Sequence, residues 1–147
     1  MATIQTHAGP PEALTRRPVP AVGVVCLRGR EVLLVRRSKP PRQGEWSLPG
    51  GRIEWGERTA DAALRELVEE TGVEAELTGL IDVVDGVFGP DTHYVLIDYA
   101  ARWLSGEPRA GDDAADAAFH SLDALEGLGL WDETRRIILM AAVLDAG

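Results

Sequence analysis

The sequence predicts an α+β fold, in which strands come first, one acidic helix follows, and further strands lead to a terminal helix. Apolar runs at 19–27 and 93–104 have the length and the branched or aromatic residues typical of strands. Strand and helix segments do not alternate regularly, as they would in a sheet built from βαβ units. The 147 residues contain no internal repeat, so we expect a flexible lead-in at 1–18 and one domain at 19–147.

The first two strands are predicted to form a hairpin. Residues 19–27 and 31–36 are apolar runs separated by a turn at Gly29. Cys26 is the single cysteine, which excludes an internal disulfide, and its apolar neighbours favour a buried position over a nucleophilic role. The hairpin ends in three cations that either bind a substrate phosphate or are solvated loop charges: Arg36, Arg37 and Lys39.

A helix is predicted from Thr59 to Thr71. Thr59 or a near neighbour supplies the N-cap, and Gly72 ends the helix because glycine adopts the left-handed conformation without steric cost. The helical period places three carboxylates on one face: Glu66, Glu69 and Glu70. The opposite face is the expected core side: Ala60, Leu64, Leu67, Val68 and Thr71. Ala62 and Ala63, one turn before the carboxylates, are expected to leave room for a ligand.

Three like charges on one helix face repel one another, so this helix is expected to need a compensating cation. Hard divalent cations bind carboxylate oxygens together with water and substrate phosphates. The acidic face therefore indicates either a metal platform for a phosphorylated ligand or, as in most charge runs, a solvated surface.

The segment 51–73, GRIEWGERTADAALRELVEETGV, resembles the Nudix box G-x5-E-x7-R-E-U-x-E-E-x-G-U, where U is a bulky aliphatic residue. Every fixed position holds the expected type: Gly51, Glu57, Arg65, Glu66, Leu67, Glu69, Glu70, Gly72 and Val73. At ordinary residue frequencies of roughly 5–7%, a chance match is rarer than about one in a million. The approach at 46–51, WSLPGG, is also common in this family.

The resemblance to the Nudix hydrolase family implies an α/β/α sandwich with a mixed β-sheet between helices. It also implies hydrolysis of a phosphoanhydride bond, with Mg2+ as cofactor and Mn2+ as an alternative. The metal ligands it implies are the three helix glutamates and a backbone carbonyl in the glycine turn, at Gly50 or Gly51. Glu57 either ligates the metal through water or holds the loop, and Arg65 is expected to orient the glutamates by ion pairing.

Further site residues are expected outside the fixed positions of the box. Glu54 is a candidate for an extra metal or substrate contact. Family members often take another carboxylate from a loop, and the polar segment 105–116 offers Glu107, Asp112, Asp113 and Asp116, with Asp112 and Asp113 favoured. Glu69, Glu70 and a loop acid remain alternatives for the general base.

The remaining elements complete the expected order. Residues 74–88 are predicted to form a strand pair or one long strand bent at Gly79 and Gly86. A short strand at 117–122 precedes a terminal helix at 134–144. The predicted core side of that helix comprises Ile137, Ile138, Met140, Ala141 and Leu144. Trp46 and Trp131 are expected to be packing residues.

Charge and composition limit the partners. The net charge of −9 argues against nucleic-acid binding, because phosphate backbones need a basic surface. No apolar stretch approaches the ~20 residues that span a bilayer, and no secretion signal is visible, so we expect a cytoplasmic protein without a membrane partner. The resemblance implies a small nucleotide as substrate and leaves open whether the protein is a homodimer.

The substrate is expected to be ADP-ribose or a similar nucleotide sugar. The region from His93 to Asp113 resembles ADP-ribose pyrophosphatases, and Pro90 lies near a proline position of that subgroup. A MutT-like nucleoside triphosphate pyrophosphohydrolase is the alternative of the same class. A regulatory protein that binds a nucleotide without cleaving it is the alternative of another class.

Overall fold

The strands form one seven-stranded mixed sheet within residues 16–146, which the computed structural model describes. Their bounds are β1 Val19–Arg28, β2 Glu31–Arg37, β3 Trp46–Ser47, β4 Gly50–Arg52, β5 Glu74–Val87, β6 His93–Ser105 and β7 Ala114–Ser121. The strand order is β3-β2-β1-β6-β5, with β4 also paired to β1 and β7 to β2. Of the lead-in predicted at 1–18, residues 1–15 lie outside the described range.

The predicted hairpin is confirmed. β1 and β2 pair antiparallel around Gly29, which has a φ of 59°. β1 also pairs parallel with β6, and this pairing makes the sheet mixed. Cys26 is fully buried in β1, as expected, and burial raises the pKa of its thiol to about 12.

Helices cover both faces of the sheet. They are α1 Thr59–Thr71, a 3₁₀ helix Leu122–Leu128 and α2 Asp132–Ala146. Successive residues of a strand point to opposite faces, so β1 contributes to two separate core clusters. Val24 packs in the cluster that contains Leu67 of α1, whereas Val25 packs with Ile138 of α2. The expected sandwich of a mixed sheet between helices is therefore confirmed.

The terminal helix is longer than predicted and its apolar stripe differs. It buries Thr134, Ile137, Ile138 and Ala141. Leu144 continues this stripe by helical period, yet it is 60% exposed, so its predicted core position is wrong. In the last turn of α2, the apolar stripe lies beyond the part of the helix that packs on the sheet.

The later strands correct one predicted bend and one predicted boundary. β5 is one long strand, and its pairing with β6 shifts register around Gly79, where a bend was predicted. No register shift occurs at Gly86, where a Cβ would crowd the Phe88 ring. β7 begins at Ala114, so Asp116 belongs to a strand and pairs with Arg36 instead of lying in the predicted loop.

No helix within residues 16–146 is both long and apolar enough to cross a membrane.

Candidate functional site

The predicted helix bounds hold, and Leu67 and Thr71 are buried as predicted, but other positions on the two faces of α1 differ from the prediction. The helix begins after Arg58, whose side chain makes no capping hydrogen bond, and it ends at Gly72 with a φ of 73°. Ala62 and Ala63 are fully buried against the sheet, whereas Val68 is 47% exposed. The expectation that the two alanines leave room for a ligand is therefore wrong. Their small side chains instead allow the helix to pack closely on the strands.

Because the alanines face the sheet, Glu66 and Glu70 lie along the edge of the buried stripe, one and two turns after Ala62. The Glu66 carboxylate lies so close to Gly51 that a Cβ there would overlap its Oε2. The backbone N–H of Gly50 donates to Oε1 of Glu70 at 2.7 Å. The glycine turn thus supplies both the space and a hydrogen bond for two inward carboxylates.

Burial changes the protonation of this inward pair. It raises the pKa of Glu66, against the opposing effect of Arg65. It raises the pKa of Glu70 to about 8, although the hydrogen bond from Gly50 acts in the other direction. Burial is therefore the main cause for both carboxyl groups, although Arg65 Nη1 lies 3.4 Å from Oε2 of Glu66 and Arg37 opposes the shift of Glu70.

The outward edge of α1 is organised by Arg65. Its Nε and Nη2 donate to the two carboxylate oxygens of Glu57 at 2.7 and 2.9 Å. Its Nη1 donates to Oε2 of Glu69 at 3.0 Å, and Nη2 also reaches the carbonyl oxygen of Arg52 at 3.0 Å. Arg65 also forms an ion pair with Glu54 at 3.3 Å. The guanidinium therefore orients glutamates by ion pairing, as expected.

Glu57 is fully engaged in this network. The Arg65 hydrogen bonds, helped by the backbone N–H of Glu54, lower the pKa of Glu57 to about 2. Both oxygens of Glu57 are occupied within the loop, and neither Glu57 nor Glu54 lines the cavity described below. Of the two roles expected for Glu57, this geometry supports holding the loop.

The loop between β6 and β7 docks on the C-terminal end of α1. The backbone N–H groups of Gly111 and Asp112 donate to the carbonyl oxygens of Glu70 and Glu69, at 2.8 and 3.3 Å. A Cβ at Gly111 would overlap the Glu69 carbonyl oxygen, so only glycine allows this approach. The docking brings the favoured acids, Asp112 and Asp113, to the cavity wall. Glu107 instead pairs with Arg28, at 2.9 Å.

Only part of the predicted cationic group reaches the site. Arg37 and Lys39 line the cavity, and Lys39 Nζ forms an ion pair with Asp113 at 2.6 Å. Arg36 lies on the opposite face of β2, because alternate residues of a strand point in opposite directions. Its Nε donates to the carbonyl oxygen of Gly44 at 3.2 Å, and it is not among the lining residues.

These elements enclose one cavity of about 590 Å³. Glu66, Glu69 and Glu70 line it together with Gly50 and Gly51. A second group of lining residues was not predicted as part of a site: Phe88, Tyr94, Leu96, Asp98, Glu133 and Thr134. The sequence signal for Asp98 is a lone acid within the apolar strand HYVLIDYAARWL. Trp131 also lines the cavity and packs edge-to-face on Phe88, whereas Trp46 packs on His120.

The donor set fits a hard divalent cation. Within residues 16–146, no three His, Cys, Asp or Glu side chains already converge as a ready-made metal cage. Mg2+ does not require one, since it is commonly bound by one or two carboxylates, waters and substrate phosphates. Glu66 and Glu70 supply two desolvated carboxylates beside the backbone of the glycine turn.

The family model for the NUDIX domain matches residues 17–141. This chain belongs to the NUDIX family. The resemblance carried by the 51–73 segment is therefore confirmed, and the site described above is the part of the NUDIX fold where that segment meets the cavity.

The chain is similar to curated and solved NUDIX relatives. It is 35% identical to an ADP-ribose pyrophosphatase of Methanocaldococcus jannaschii over 76% of this chain and 66% of that protein. It is 39% identical to a putative 8-oxo-dGTP diphosphatase 2 of Mycobacterium tuberculosis over 60% of this chain and 64% of that protein. The matches thus span slightly less than two thirds of either curated relative.

A crystal structure of a MutT NUDIX hydrolase from Burkholderia pseudomallei superposes with a TM-score of 0.76 at 33% identity. That comparison covers 84% of this chain and 98% of the other. The expected fold therefore agrees with an experimentally determined NUDIX structure.

Proposed function

We propose that this chain is a divalent-metal-dependent pyrophosphohydrolase that cleaves the phosphoanhydride bond of a nucleoside diphosphate linked to a second group. The observation that carries the proposal is the inward pair Glu66 and Glu70, held desolvated beside Gly50 and Gly51 at the wall of a large cavity. A desolvated pair of carboxyl groups beside the glycine turn is suited to bind a divalent cation together with a phosphate, and Arg65 Nη1 also lies 3.4 Å from Oε2 of Glu66.

Mg2+, or Mn2+, would neutralise phosphoryl oxygens and lower the pKa of a bound water. In the proposal, Glu66 and Glu70 hold the ion, with Glu69 and a glycine-turn carbonyl as further ligands. Arg65 keeps Glu69 in place through its 3.0 Å hydrogen bond. Phosphoryl transfer depends mainly on such positioning and on charge stabilisation.

The phosphate-binding wall is proposed to comprise Arg37 and Lys39, which line the same cavity as the helix glutamates. Asp112 and Asp113 lie beside them and are the loop acids available to orient water or metal. The general base is one of Glu69, Glu70 and these two aspartates.

ADP-ribose or a similar nucleotide sugar is the proposed substrate, supported by the archaeal relative named ADP-ribose pyrophosphatase. The mycobacterial relative named putative 8-oxo-dGTP diphosphatase 2 favours a nucleoside triphosphate as the second candidate.

A panel of ADP-ribose, other nucleotide sugars, and ordinary and oxidised triphosphates, each with Mg2+ or Mn2+, tests these candidates. AMP and ribose 5-phosphate from ADP-ribose are the expected products. Pyrophosphate and a monophosphate from a triphosphate would instead support the second candidate. If the wild-type protein and Glu70→Gln both bind nucleotide and neither hydrolyses it, a binding role would replace the proposed hydrolysis.

A further inference from the structure

The turn that carries the loop acids contains a residue in the left-handed backbone region. Within residues 16–146, the only non-glycine residues with a positive φ are Arg42 and Asp113, and Asp113 has a φ of 61°. Asp113 is the third residue of the turn 111–114. The N–H of Ala114 closes this turn by donating to the carbonyl oxygen of Gly111 at 3.3 Å. Glycine or asparagine usually occupies the third position when φ is positive, so the turn itself gives no reason for a carboxylate there.

A shift in strand pairing brings Ser38 to this turn. The register between β2 and β7 shifts between Arg36 and Arg37, so Arg37 pairs with Ala114. The residue that follows β2, Ser38, then lies opposite Asp113. Its hydroxyl group donates to the carbonyl oxygen of Asp113 at 2.6 Å, and its backbone N–H donates to the same oxygen at 3.4 Å. The direction of that carbonyl depends on the φ and ψ of Asp113, so two donors from one residue hold the left-handed conformation.

The other side of the turn is held by α1. The N–H groups of Gly111 and Asp112 bind the carbonyl oxygens of the last helix glutamates, as described above. The turn therefore links Ser38 at the end of β2 to the C-terminal end of the acidic helix. Ser38 does not itself line the cavity, so any effect it has on the site passes through this turn.

The carboxylate of Asp113 lies at the cavity wall in a charged setting. It forms the 2.6 Å ion pair with Lys39, and both side chains are mostly exposed, so the pair adds little to the stability of the fold. Burial is the main cause of the raised pKa of Glu70, and the negative charge of Asp113 adds to it. The carboxyl groups of Asp113 and Glu70 are therefore within electrostatic reach of each other.

We propose that Ser38 is a positioning residue for the hydrolysis: by fixing the turn 111–114 on the end of β2, it holds the Asp113 carboxylate beside Lys39 and within reach of Glu70. A substrate phosphate that binds Lys39 displaces this carboxylate from its ion pair. Ser38 still keeps the carboxylate at the cavity wall, because it holds the backbone of Asp113 and not the side chain. The inference rests on the proposed function and adds which loop acid is positioned and what positions it.

Steady-state kinetics of Ser38→Ala test the proposal. The variant is expected to lower kcat by about tenfold, the size of one lost hydrogen bond, because the Asp113 carboxylate is no longer held in place. KM is expected to stay within about threefold, since the cations of the phosphate-binding wall are unchanged. Ser38→Thr keeps the hydroxyl group and is expected to restore most of kcat. Ser105→Ala, at an exposed serine outside the cavity, is the matched control and should leave both constants unchanged.

A double-mutant cycle separates positioning from a merely structural role. Glycine adopts the left-handed conformation unaided and has no carboxylate to position. Asp113→Gly is therefore expected to lower kcat by about tenfold or more, and adding Ser38→Ala to it should change kcat by less than about twofold. A residue that only stabilises the fold would cause a similar loss in both backgrounds.

Amide hydrogen exchange at Gly111 and Asp112 measures the docking of the turn on α1 without any turnover. Ser38→Ala is expected to speed exchange of both amides by about tenfold in the otherwise wild-type protein and little in Asp113→Gly.

Unchanged exchange, a wild-type kcat in Ser38→Ala, or additive losses in the double mutant would overturn the inference. With an active wild-type protein, each of these results would leave the proposed function standing. An inactive wild-type protein would overturn the proposed function, and the exchange rates would then decide by themselves whether Ser38 fixes the turn.

Discussion

The two edges of α1 use the same residue type in opposite ways. On the outward edge, Glu57 is held by both arms of Arg65, and its pKa falls to about 2. On the inward edge, Glu70 has one backbone donor, and its pKa rises to about 8. The outward glutamate is saturated with positive charge and holds the loop. The inward glutamate is desolvated by burial, which outweighs the opposing charge of Arg37, and this desolvation marks where a further cation is useful.

The largest expected effect comes from the inward edge. Glu70→Gln is expected to lower kcat by about 10²- to 10⁴-fold, because it removes a metal ligand or general base. Unfolding in metal-free buffer at pH 8 is expected to show no loss of stability, since the neutral amide needs no desolvation of a charge. Glu126→Gln, an exposed glutamate outside the cavity, is the control for both measurements. Full turnover or loss of the folded state in Glu70→Gln would contradict the functional role assigned to the inward edge.

Gly51→Ala tests the space behind Glu66. A Cβ at Gly51 would overlap Glu66 Oε2, so the carboxylate must move. Turnover is expected to fall by about 10- to 100-fold, as misplaced catalytic groups commonly cost. Gly79→Ala is the matched control, because no atom lies within 4 Å of a Cβ built there. Equal kcat values in the two alanine variants would show that Glu66 needs no fixed position.

On the outward edge, Glu57→Gln is expected to affect stability more than chemistry. The folded-state pKa of Glu57 is lowered from 4.5 to about 2. Its ion pair therefore stabilises the fold above about pH 4.5, and the contribution is lost as the pH falls towards 2. The variant is expected to melt at a lower temperature at pH 7 and to lose at most about tenfold in kcat. Asp123→Asn, which breaks an exposed pair with Arg30, should leave the melting temperature unchanged.

The smallest expected effect concerns pH and Asp98. Its pKa is raised from 3.8 to about 7 in the folded state, so the folded protein retains a proton that the unfolded chain releases. This group therefore lowers stability progressively as the pH rises from about 4 to 7. Asp98→Asn is expected to lack that slope and to exceed wild-type stability at pH 8 by about 1–3 kcal/mol. Parallel pH profiles from urea titrations of the two proteins would contradict this.

Sequence reasoning recovered the parts of the site that are local in the chain. Spacing alone placed α1, and Gly72 marked its end, because both depend on backbone geometry within one segment. Which face of α1 is buried depends on the partner surface, and there the prediction was right for Leu67 and Thr71 but wrong for Val68 and the two alanines. Small alanines are compatible with an open ligand face or a close helix–sheet contact, and only packing distinguishes the two.

Residues brought in from distant segments were predicted unevenly. The loop acids at 112 and 113 were anticipated from the family pattern, although their docking through Gly111 could not be read from composition. Arg36 and Arg37 are adjacent in sequence, and strand alternation sends only Arg37 to the cavity. Asp98 was not predicted as a site residue, because the space for its carboxyl group is provided by Gly23 in another strand.

Ala62 and Ala63 are buried between α1 and the sheet, and their small side chains keep the helix close to the strands. The height of the acidic edge above the glycine turn is set by these two methyl groups, not by the glutamates themselves. A larger residue at either position would lift the whole edge as one body, leaving every motif residue intact but out of register with the turn. A protein can therefore keep every residue of the NUDIX signature and still be inactive. The residues at positions 62 and 63 then distinguish active from inactive proteins that share the signature.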